Sequence, residues 1–468
     1  MKRLISILLA LFMAATLFAA CGGGGAATTT AAPAATTAAT TAAPAATTAA
    51  PTTTTTADAG PAPVEIRAAW WGDTWRHELY NSIVDLYVEA FPHVTVVREP
   101  VSWGDYWEKM AIQVAGGNAT DFMCMHPFYA ADYAPRGVME PLQPYVDDGT
   151  ISISGWDETA LKSGILKGEL YMMAMGLTVY STFVNLTMFD ELGIDPPPFE
   201  FSWDEMVEMA REFRTAAQEL DMNNWFCGDG AGNYQFLRAY VRQLGHEFYD
   251  SDGNLQVTVE EAEFWFNYWK NLRDQDLIVD TETGAEFAGA TLEDSLFSRD
   301  RMAVNLMPPV NQITLFTNTF PDKEITVVRN PVTPGGLAGE VPEGAHYAVY
   351  ANTTADKKLA AAQLINFWLN TPESLKLYKL DQGVPANLSL KSAYLDELLP
   401  PQVINLDFVE KISLLDKIPG IWPPAGNAAI EDLLRLKAEE VSYNMKSPGQ
   451  AAKEFVEETA AIRAKAIE

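Results

Sequence analysis

Two spacings of apolar side chains alternate along the part of the chain that follows residue 63. Short runs rich in Val, Ile and aromatic residues are typical of strands, and between them apolar residues recur every three to four positions, as on one helix face. In chain order, the predicted elements are a strand over 64–70, a helix over 76–91, a strand over 94–97, a helix over 105–114 and a strand over 121–125. This βαβαβ order predicts a mostly parallel sheet with covering helices, which is an α/β fold.

Start signals predict further helices. Ser202 and Thr258 are each followed three residues later by a glutamate, which is the spacing of a capping box. Ser447 before Pro448 combines an N-cap residue with a proline in the first turn. Several tryptophans lie on helix faces or at helix starts, where they are predicted to pack in the core rather than to bind a ligand: Trp107, Trp203, Trp265, Trp269 and Trp368.

The N-terminus predicts where the protein works. Met1-Lys2-Arg3 is a basic start, and the apolar run from Leu4 to Leu17 is too short for a stable membrane anchor. Small residues then precede Cys21, an arrangement that resembles the lipobox of bacterial lipoproteins. Residues 1–20 are therefore predicted to be a lipoprotein signal peptide, with Cys21 as the lipidated residue. The alternative is an ordinary secretory signal that is cut near Ala15-Thr16-Leu17.

The segment after Cys21 has the composition of a tether. Gly22 to Pro63 consists of Gly, Ala, Thr and Pro with one charged residue, Asp58. Such a segment has almost no large apolar side chain to bury, so residues 21–63 are predicted to be the lipidated cysteine and a disordered linker. An O-glycosylated stalk has the same composition. The expected location is the outer face of the cell membrane, with the protein anchored through its lipid.

Charge and cysteine content exclude several classes of partner. The formal net charge of −30 would repel nucleic acid and anionic lipid headgroups, so neither is an expected partner and the membrane is contacted through the anchor only. Beyond Cys21 the chain has only Cys124 and Cys227. Two buried thiols are expected, and a single disulfide between them is the alternative.

Short motifs occur in order along the chain after residue 63. They are Trp70-Trp71-Gly72-Asp73, Phe91-Pro92, Ala115 to Asp121, Tyr133 to Leu142, Gly168-Glu169-Leu170-Tyr171, Asn185 with Phe189 and Gly193, and Ser202-Trp203-Asp204-Glu205. In this order and spacing they resemble the family-1 extracellular solute-binding proteins of bacterial ABC importers, which include sugar-binding proteins. Thr120 and Ala174 stand where the family pattern has proline.

The resemblance implies a two-lobed periplasmic-binding-protein-like fold. Each lobe would be a mostly parallel sheet flanked by helices, and three crossing segments would form a hinge around the solute cleft. Carried onto this chain, the crossings fall near Leu177-Thr178, Gly344 to Tyr347, and Gly383-Val384-Pro385. Lobe 1 would then be 64–177 plus 345–383, and lobe 2 would be 178–344 plus 384–468. The implied partners are a small-molecule solute and ABC permease subunits, and a monomer is expected.

Aromatic residues at strand ends and in loops are the candidate binding residues, because open α/β sheets bind ligands at their strand ends. Together with one carboxylate they are Trp71, Asp73, Trp75, Trp103, Phe128, Tyr129, Tyr180, Tyr234 and Trp422. Flat rings stack on the C–H face of a pyranose while polar groups bind its hydroxyls, so the set favours a mono- or oligosaccharide. Trp71 and Tyr234 are expected to approach the solute from opposite lobes.

Catalytic residues, metal ligands and cofactors are not predicted. The five histidines lack metal-ligand spacing, and Asp252-Gly253 is predicted to be a hairpin turn rather than part of a calcium loop. The expected function is solute capture, not catalysis. Two alternatives stay open, namely a tethered ligand sensor for a membrane receptor and an extracellular glycoside hydrolase, since 62 acidic residues leave many carboxylates to pair.

Overall fold

The computed structural model describes residues 61–288, 290, 294–418 and 420–467. The predicted signal peptide, Cys21 and the linker up to residue 60 lie outside the described residues. The strands are β1 (Val64–Trp71), β2 (Val94–Val101), β3 (Phe122–Met125), β4 (Ile165–Leu166), β5 (Glu169–Leu170), β6 (Met173–Ala174), β7 (Gly176–Leu177), β8 (Tyr180–Asn185), β9 (Trp225–Cys227), β10 (Met302–Pro309), β11 (Ile325–Val328), β12 (His346–Val349) and β13 (Val384–Pro385).

The α-helices alternate with these strands and cover them. They are α1 (Thr74–Ala90), α2 (Trp103–Ala115), α3 (Pro127–Tyr133), α4 (Gln143–Asp147), α5 (Glu158–Ser163), α6 (Leu186–Leu192), α7 (Trp203–Glu219), α8 (Tyr234–Gln243), α9 (Val259–Asp274), α10 (Thr281–Glu286), α11 (Ile313–Thr319), α12 (Ala355–Asn370), α13 (Pro372–Tyr378), α14 (Pro400–Ser413), α15 (Asn427–Ser442) and α16 (Pro448–Ile467). Among the described residues, every helix is too short or too polar to cross a membrane.

The first sheet has the strand order β2-β1-β3-β12-β6. β1 pairs in parallel with β2 and β3, so the predicted βαβαβ unit is confirmed. β2 continues to Val101, where the prediction ended at Val97. Trp70, Trp368 and Tyr347 are fully buried in the core that this sheet shares with its covering helices.

The second sheet has the order β11-β8-β10-β9 and its own core. β9 is parallel to β10, but β8 runs antiparallel to both β10 and β11. This sheet is therefore mixed. The first sheet is mixed as well, because β12 runs antiparallel to both β3 and β6, whereas the sequence predicted a mostly parallel sheet in each lobe. We call the layers around the first and second sheets the first and second lobes.

The three predicted crossing segments contact one another through their main chains. Thr178 and Glu343 exchange backbone hydrogen bonds of 2.8 and 2.9 Å, and β7 pairs with β13 through Leu177 and Val384. The backbones approach so closely that a Cβ atom built on Gly344 would lie 2.1 Å from the carbonyl oxygen of Gly176. We refer to residues 176–178, 343–344 and 383–385 as the crossing junction.

The chain after the third crossing returns to the first lobe. Tyr394 is fully buried in the first core, and Leu390, Leu395 and Leu398 pack against it. Residues 388–398 thus pack with the first lobe, although the sequence assigned them to the second, because these apolar side chains find their partners beside α13. We propose that the chain passes finally to the second lobe within α14, since Leu406 still packs in the first core whereas Phe408 packs against residues of the second sheet. The remaining lobe boundaries stay a prediction.

The local predictions agree with the structure. Capping boxes are formed by Ser202 with Glu205 and by Thr258 with Glu261. The hairpin turn at Asp252-Gly253 is confirmed by the antiparallel bridge that flanks it. Cys124 and Cys227 are both buried and free, so the prediction of two buried thiols is confirmed. The tryptophans predicted to pack in cores are all buried there: Trp107, Trp203, Trp265, Trp269 and Trp368.

Candidate functional site

Helix α3 carries two of the predicted binding residues into the cleft between the lobes. His126 precedes the helix, and its Nδ1 accepts a hydrogen bond from the backbone N–H of Phe128 at 3.4 Å. Burial and the neighbouring His346 lower the pKa of His126 to about 3, so its ring is neutral and able to accept this bond. Since Phe128 and Tyr129 occupy the first turn of α3, their positions are fixed by this cap.

Tyr234 faces α3 from the second lobe. It is the first residue of α8, where the side chain of Asn233 caps the helix. The ring centroids of Phe128 and Tyr234 lie 6.2 Å apart in an edge-to-face arrangement across the cleft. A second contact joins the lobes nearby, because the carboxylate of Asp132 accepts a hydrogen bond of 2.9 Å from the N–H of Gly426. The cleft walls therefore touch at these residues.

Trp71 lies behind this wall rather than on its surface. It is only 5% exposed, and its ring centroid lies 4.8 Å from that of Trp103 and 5.5 Å from that of Trp107. Trp107 in turn stacks on Tyr129 at 3.8 Å. Trp103, at 41% exposed, presents the accessible edge of this aromatic cluster. Trp71 is thus positioned to support Trp103 and, through Trp107, Tyr129.

The other predicted site residues have separate surroundings. Asp73 caps α1, since its carboxylate accepts a hydrogen bond of 3.0 Å from the N–H of Arg76. Trp75 is 40% exposed in the first turn of the same helix. Tyr180 begins β8 beside the crossing junction. Trp422 lies with its ring centroid 6.4 Å from that of His346. The structure places Phe128, Tyr129, Tyr180 and Tyr234 around the cleft, and Trp422 contacts His346, which adjoins His126 at the N-cap of α3. Among the described residues, Asp73 and Trp75 make no ring contact with this group.

Glu431, which the sequence did not single out, lies among the tyrosines. Burial raises the pKa of Tyr129, Tyr180 and Tyr234, and in each case the nearby Glu431 carboxylate adds to the rise. Burial likewise raises the pKa of Glu431 to about 8. The Asn427 amide donates a hydrogen bond of 2.6 Å to the Glu431 carboxylate, and this bond opposes the rise. Glu431 is one of many acidic residues on an amphipathic helix, so no local pattern marks it.

Glu343 is a second carboxylate at the base of the cleft. It is 1% exposed, and burial raises its pKa to about 7. Its Oε2 accepts a hydrogen bond of 3.3 Å from Arg238, whereas Oε1 has no hydrogen-bond partner among the described residues. No pattern in the sequence distinguishes this residue, apart from its place beside a predicted crossing segment.

Arg238 and Arg242 neutralise the carboxylates beneath the cleft. Arg238 donates to both oxygens of Glu247, at 3.1 and 2.9 Å, and to Glu343. Arg242 also forms an ion pair with Glu247. All four side chains are buried, so the two positive charges are matched by Glu247 and Glu343. Glu431 is not part of this buried ion-pair network.

Two cavities adjoin the crossing junction. A small one of about 10 Å³ is lined by Tyr180, Gln235 and Glu343 among others, which is room for a single water-sized group. A groove of about 760 Å³ is lined by residues of both lobes, including Trp422.

The groove's lysines are already partnered: Lys162 with Glu158, Lys391 with Glu410, and Lys417 with backbone carbonyls near the end of α14. Across the described part of the chain, no cluster of His, Cys, Asp and Glu is arranged to hold a metal ion.

Comparison with known proteins gives consistent results. The family model described as bacterial extracellular solute-binding protein matches residues 73–373. A periplasmic solute-binding protein from Pectobacterium atrosepticum is 21% identical, with a TM-score of 0.77 over 86% of this chain and 100% of that chain. A periplasmic oligogalacturonide-binding protein from Yersinia enterocolitica, in complex with saturated digalacturonic acid, is 18% identical, with a TM-score of 0.76 and the same coverage.

An ABC substrate-binding protein from Listeria monocytogenes, in complex with cycloalternan, is 20% identical, with a TM-score of 0.71 over 85% of this chain and 98% of that chain. At these identities the likeness establishes the fold, which is that of two lobes around a solute cleft.

Proposed function

The chain belongs to the bacterial extracellular solute-binding protein family, and from this premise we propose that it captures a carbohydrate in the cleft between its lobes. Members of the family capture solutes outside the cytoplasm for ABC importers. We propose that this protein acts as a monomer, that the lobes close over a mono- or oligosaccharide, and that the loaded protein delivers it to the permease subunits. A ligand that contacts both lobes stabilises the closed arrangement through its differential affinity.

The observation that carries the proposal is the meeting of aromatic rings from both lobes. Phe128 and Tyr129 lie on α3 of the first lobe, and Tyr180 and Tyr234 lie on the second. Rings on two facing walls suit a pyranose, whose C–H faces stack on them while its hydroxyl groups donate hydrogen bonds to the Glu431 carboxylate. The digalacturonic acid and cycloalternan bound by proteins of the same fold support a saccharide as the ligand.

We expect Phe128→Ala and Tyr234→Ala to weaken solute binding. Each change removes stacking area and one wall of the site, which typically costs about 1–3 kcal/mol, or roughly 5- to 150-fold in affinity. Trp265→Phe is the control, because Trp265 is fully buried in the second core and should lower the melting temperature without changing affinity. The solute is first identified by a thermal-shift screen, and affinity is then measured by calorimetry. Unchanged affinity in both alanine variants would refute the site.

We also propose that the mature protein is held at the outer face of the membrane by a lipid on Cys21. Cys21→Ser should release the protein into the medium or leave it with its signal uncleaved, because serine has no thiol for the lipid. Fractionation of cells and medium, with the processed form identified by mass, measures this. A processed Cys21→Ser protein that stayed in the membrane fraction would contradict the anchor.

The alternative function, a tethered ligand sensor, uses the same cleft as a transport protein but has a membrane receptor as its partner instead of permease subunits. A protein that binds the same solute but contacts a receptor would not depend on permease subunits. Loss of solute uptake on deletion of the gene supports import, whereas intact uptake with a lost transcriptional response would favour sensing. A hydrolase would instead convert the bound saccharide, so recovery of the unchanged saccharide after incubation argues against catalysis.

A further inference from the structure

We propose that Asp132 of the first lobe is a positioning residue that holds the cleft closed, because its carboxylate supplies the missing N-terminal cap of α15 in the second lobe. We call this contact the interlobe cap. The inference rests on the proposed function only in that closure is the step that captures a solute. It assigns part of the stability of the closed arrangement to the protein itself rather than to the solute.

The first argument is that α15 lacks the residues that cap a helix. Its N-cap position is Gly426, which has no side chain to accept a hydrogen bond, and the φ of +86° at this position favours glycine. Three residues later stands Ala429, which cannot reach back to the N-cap N–H as Glu205 and Glu261 do in α7 and α9. The N–H groups at the start of α15 therefore need an acceptor from elsewhere.

The second argument is that the second lobe fixes the start of α15 in position without capping it. Arg463 of α16 donates a hydrogen bond to the carbonyl of Ala425, in the loop that leads to the helix. The side-chain oxygen of Asn427, the first helical residue, accepts a hydrogen bond of 2.8 Å from the Tyr249 hydroxyl. Among the described residues, the N–H of Gly426 instead donates to an acceptor in the other lobe.

The third argument is the geometry of this contact. The N–H of Gly426 donates to Oδ1 of Asp132 at 2.9 Å. The corresponding N–H groups of Ser202 and Thr258 donate to the carboxylates of their capping boxes at 2.7 and 2.9 Å. The Asp132 carboxylate thus takes the place of a capping-box glutamate, and a negative charge at a helix N-terminus is also stabilised by the helix dipole.

The fourth argument is the position of Asp132 on α3. Tyr133 of this helix packs in the first core, whereas Leu434 of α15 packs in the second, so the hydrogen bond joins the two lobes. Asp132 follows Phe128 by four residues, which places both on one helix face. Since the Phe128 ring meets Tyr234 across the cleft, opening of the lobes would break the ring contact and the interlobe cap together.

The interlobe cap has a definite effect on the equilibrium between open and closed arrangements. A helix cap typically changes an equilibrium constant by a factor of roughly 2 to 30. Because this cap forms only when the lobes meet, that factor multiplies the ratio of closed to open molecules. The affinity for a solute that binds the closed arrangement rises with the closed fraction, so the cap tightens binding without touching the solute.

Single-molecule FRET between dyes on the two lobes measures the closed fraction in the absence of any solute. The dyes are attached through Ile112→Cys on α2 of the first lobe and Leu220→Cys after α7 of the second, which are both exposed positions. Cys124 and Cys227 are buried, so they do not compete for the dyes. The chain lacks its signal peptide and carries Cys21→Ser, which removes the remaining thiol.

Asp132→Ala should lower the ratio of closed to open molecules by roughly 2- to 30-fold. Ser202→Ala is the matched control, because it removes a cap that lies entirely within the second lobe. It should lower the melting temperature and leave the ratio unchanged. An unchanged ratio in Asp132→Ala, or an equal fall in Ser202→Ala, would overturn the proposal.

Ala429→Gln tests the cap without altering Asp132. Ala429 is exposed, and glutamine at the third helical position forms a capping box without adding a charge. A cap made within the second lobe removes the need for the Asp132 carboxylate, so the ratio should fall while the melting temperature is kept or rises. If the ratio falls in Asp132→Ala but not in Ala429→Gln, Asp132 closes the lobes in another way and the interlobe cap is wrong.

The outcomes also separate this inference from the proposed function, because the lobe distance is measured without solute. Variants that leave the closed fraction unchanged would overturn the interlobe cap and retain the saccharide cleft. A closed fraction that falls as expected, in a protein that no saccharide stabilises in the thermal-shift screen, would retain the interlobe cap and overturn the proposed ligand.

Discussion

Gly344→Ala is expected to lower the free energy of unfolding by about 3 kcal/mol. The new Cβ atom would lie 2.1 Å from the Gly176 carbonyl oxygen, a distance that real Cβ atoms do not adopt. Relief requires two main chains to separate, although hydrogen bonds between Thr178 and Glu343 hold them together beside the clash. Urea denaturation followed by tryptophan fluorescence measures the loss.

Gly104→Ala is the control for this change. Gly104 lies in the first turn of α2 with nothing within 4 Å of an added Cβ atom, so alanine there should be neutral or stabilise by up to about 1 kcal/mol. A Gly344→Ala protein as stable as the wild type would mean that the crossing junction is looser than the structure indicates.

Arg238→Met is expected to cost about 3–5 kcal/mol, because it leaves Glu247 and Glu343 buried with one cation fewer. The loss should be smaller at pH 5 than at pH 8. Burial raises the pKa of Glu343 to about 7, and without Arg238 it rises further. The pKa of Glu247, which its two arginine partners hold below the usual value against the effect of burial, rises as well. A carboxyl group whose native-state pKa is raised contributes less stability as the pH increases. Denaturation curves at both pH values measure this difference.

Arg435→Met provides the comparison on the protein surface. Arg435 pairs with Asp432 and Glu439 on the exposed face of α15, where an ion pair is worth at most about 1 kcal/mol. Equal losses for the two arginine variants, or a loss for Arg238→Met that did not depend on pH, would contradict the account of the buried network.

Local signals were sufficient for the βαβαβ unit that begins the first lobe and for the helix starts. The alternation of strand-like and helix-like spacing depends on neighbours in the chain, and so do the capping boxes at Ser202 and Thr258. The direction of β8 was not predictable in this way. Its antiparallel pairing with β10 depends on residues far along the chain, as does the packing of Tyr394 in the first core.

The site was only partly accessible from the sequence for the same reason. Strand ends and helix starts identified Phe128 and Tyr234, but they could not show that Trp103 and Trp107 cover Trp71. Glu431 lies near the cleft because the N-terminus of α15 contacts α3. At this contact the Asp132 carboxylate accepts a hydrogen bond from the N–H of Gly426. That contact joins residues separated by 294 positions, and no periodicity in either helix predicts it.

The crossing junction has a consequence for how such a protein diversifies. The contacts between its three segments are made by peptide groups, which every residue carries, and glycine is needed where the main chains approach most closely, as at Gly344 and at Gly383 with its φ of +94°. Side chains on the cleft walls, such as Phe128 and Tyr234, can be replaced without changing these main-chain contacts. The pivot can therefore stay mechanically unchanged while the specificity of the cleft drifts, and one scaffold can serve importers for chemically unrelated solutes.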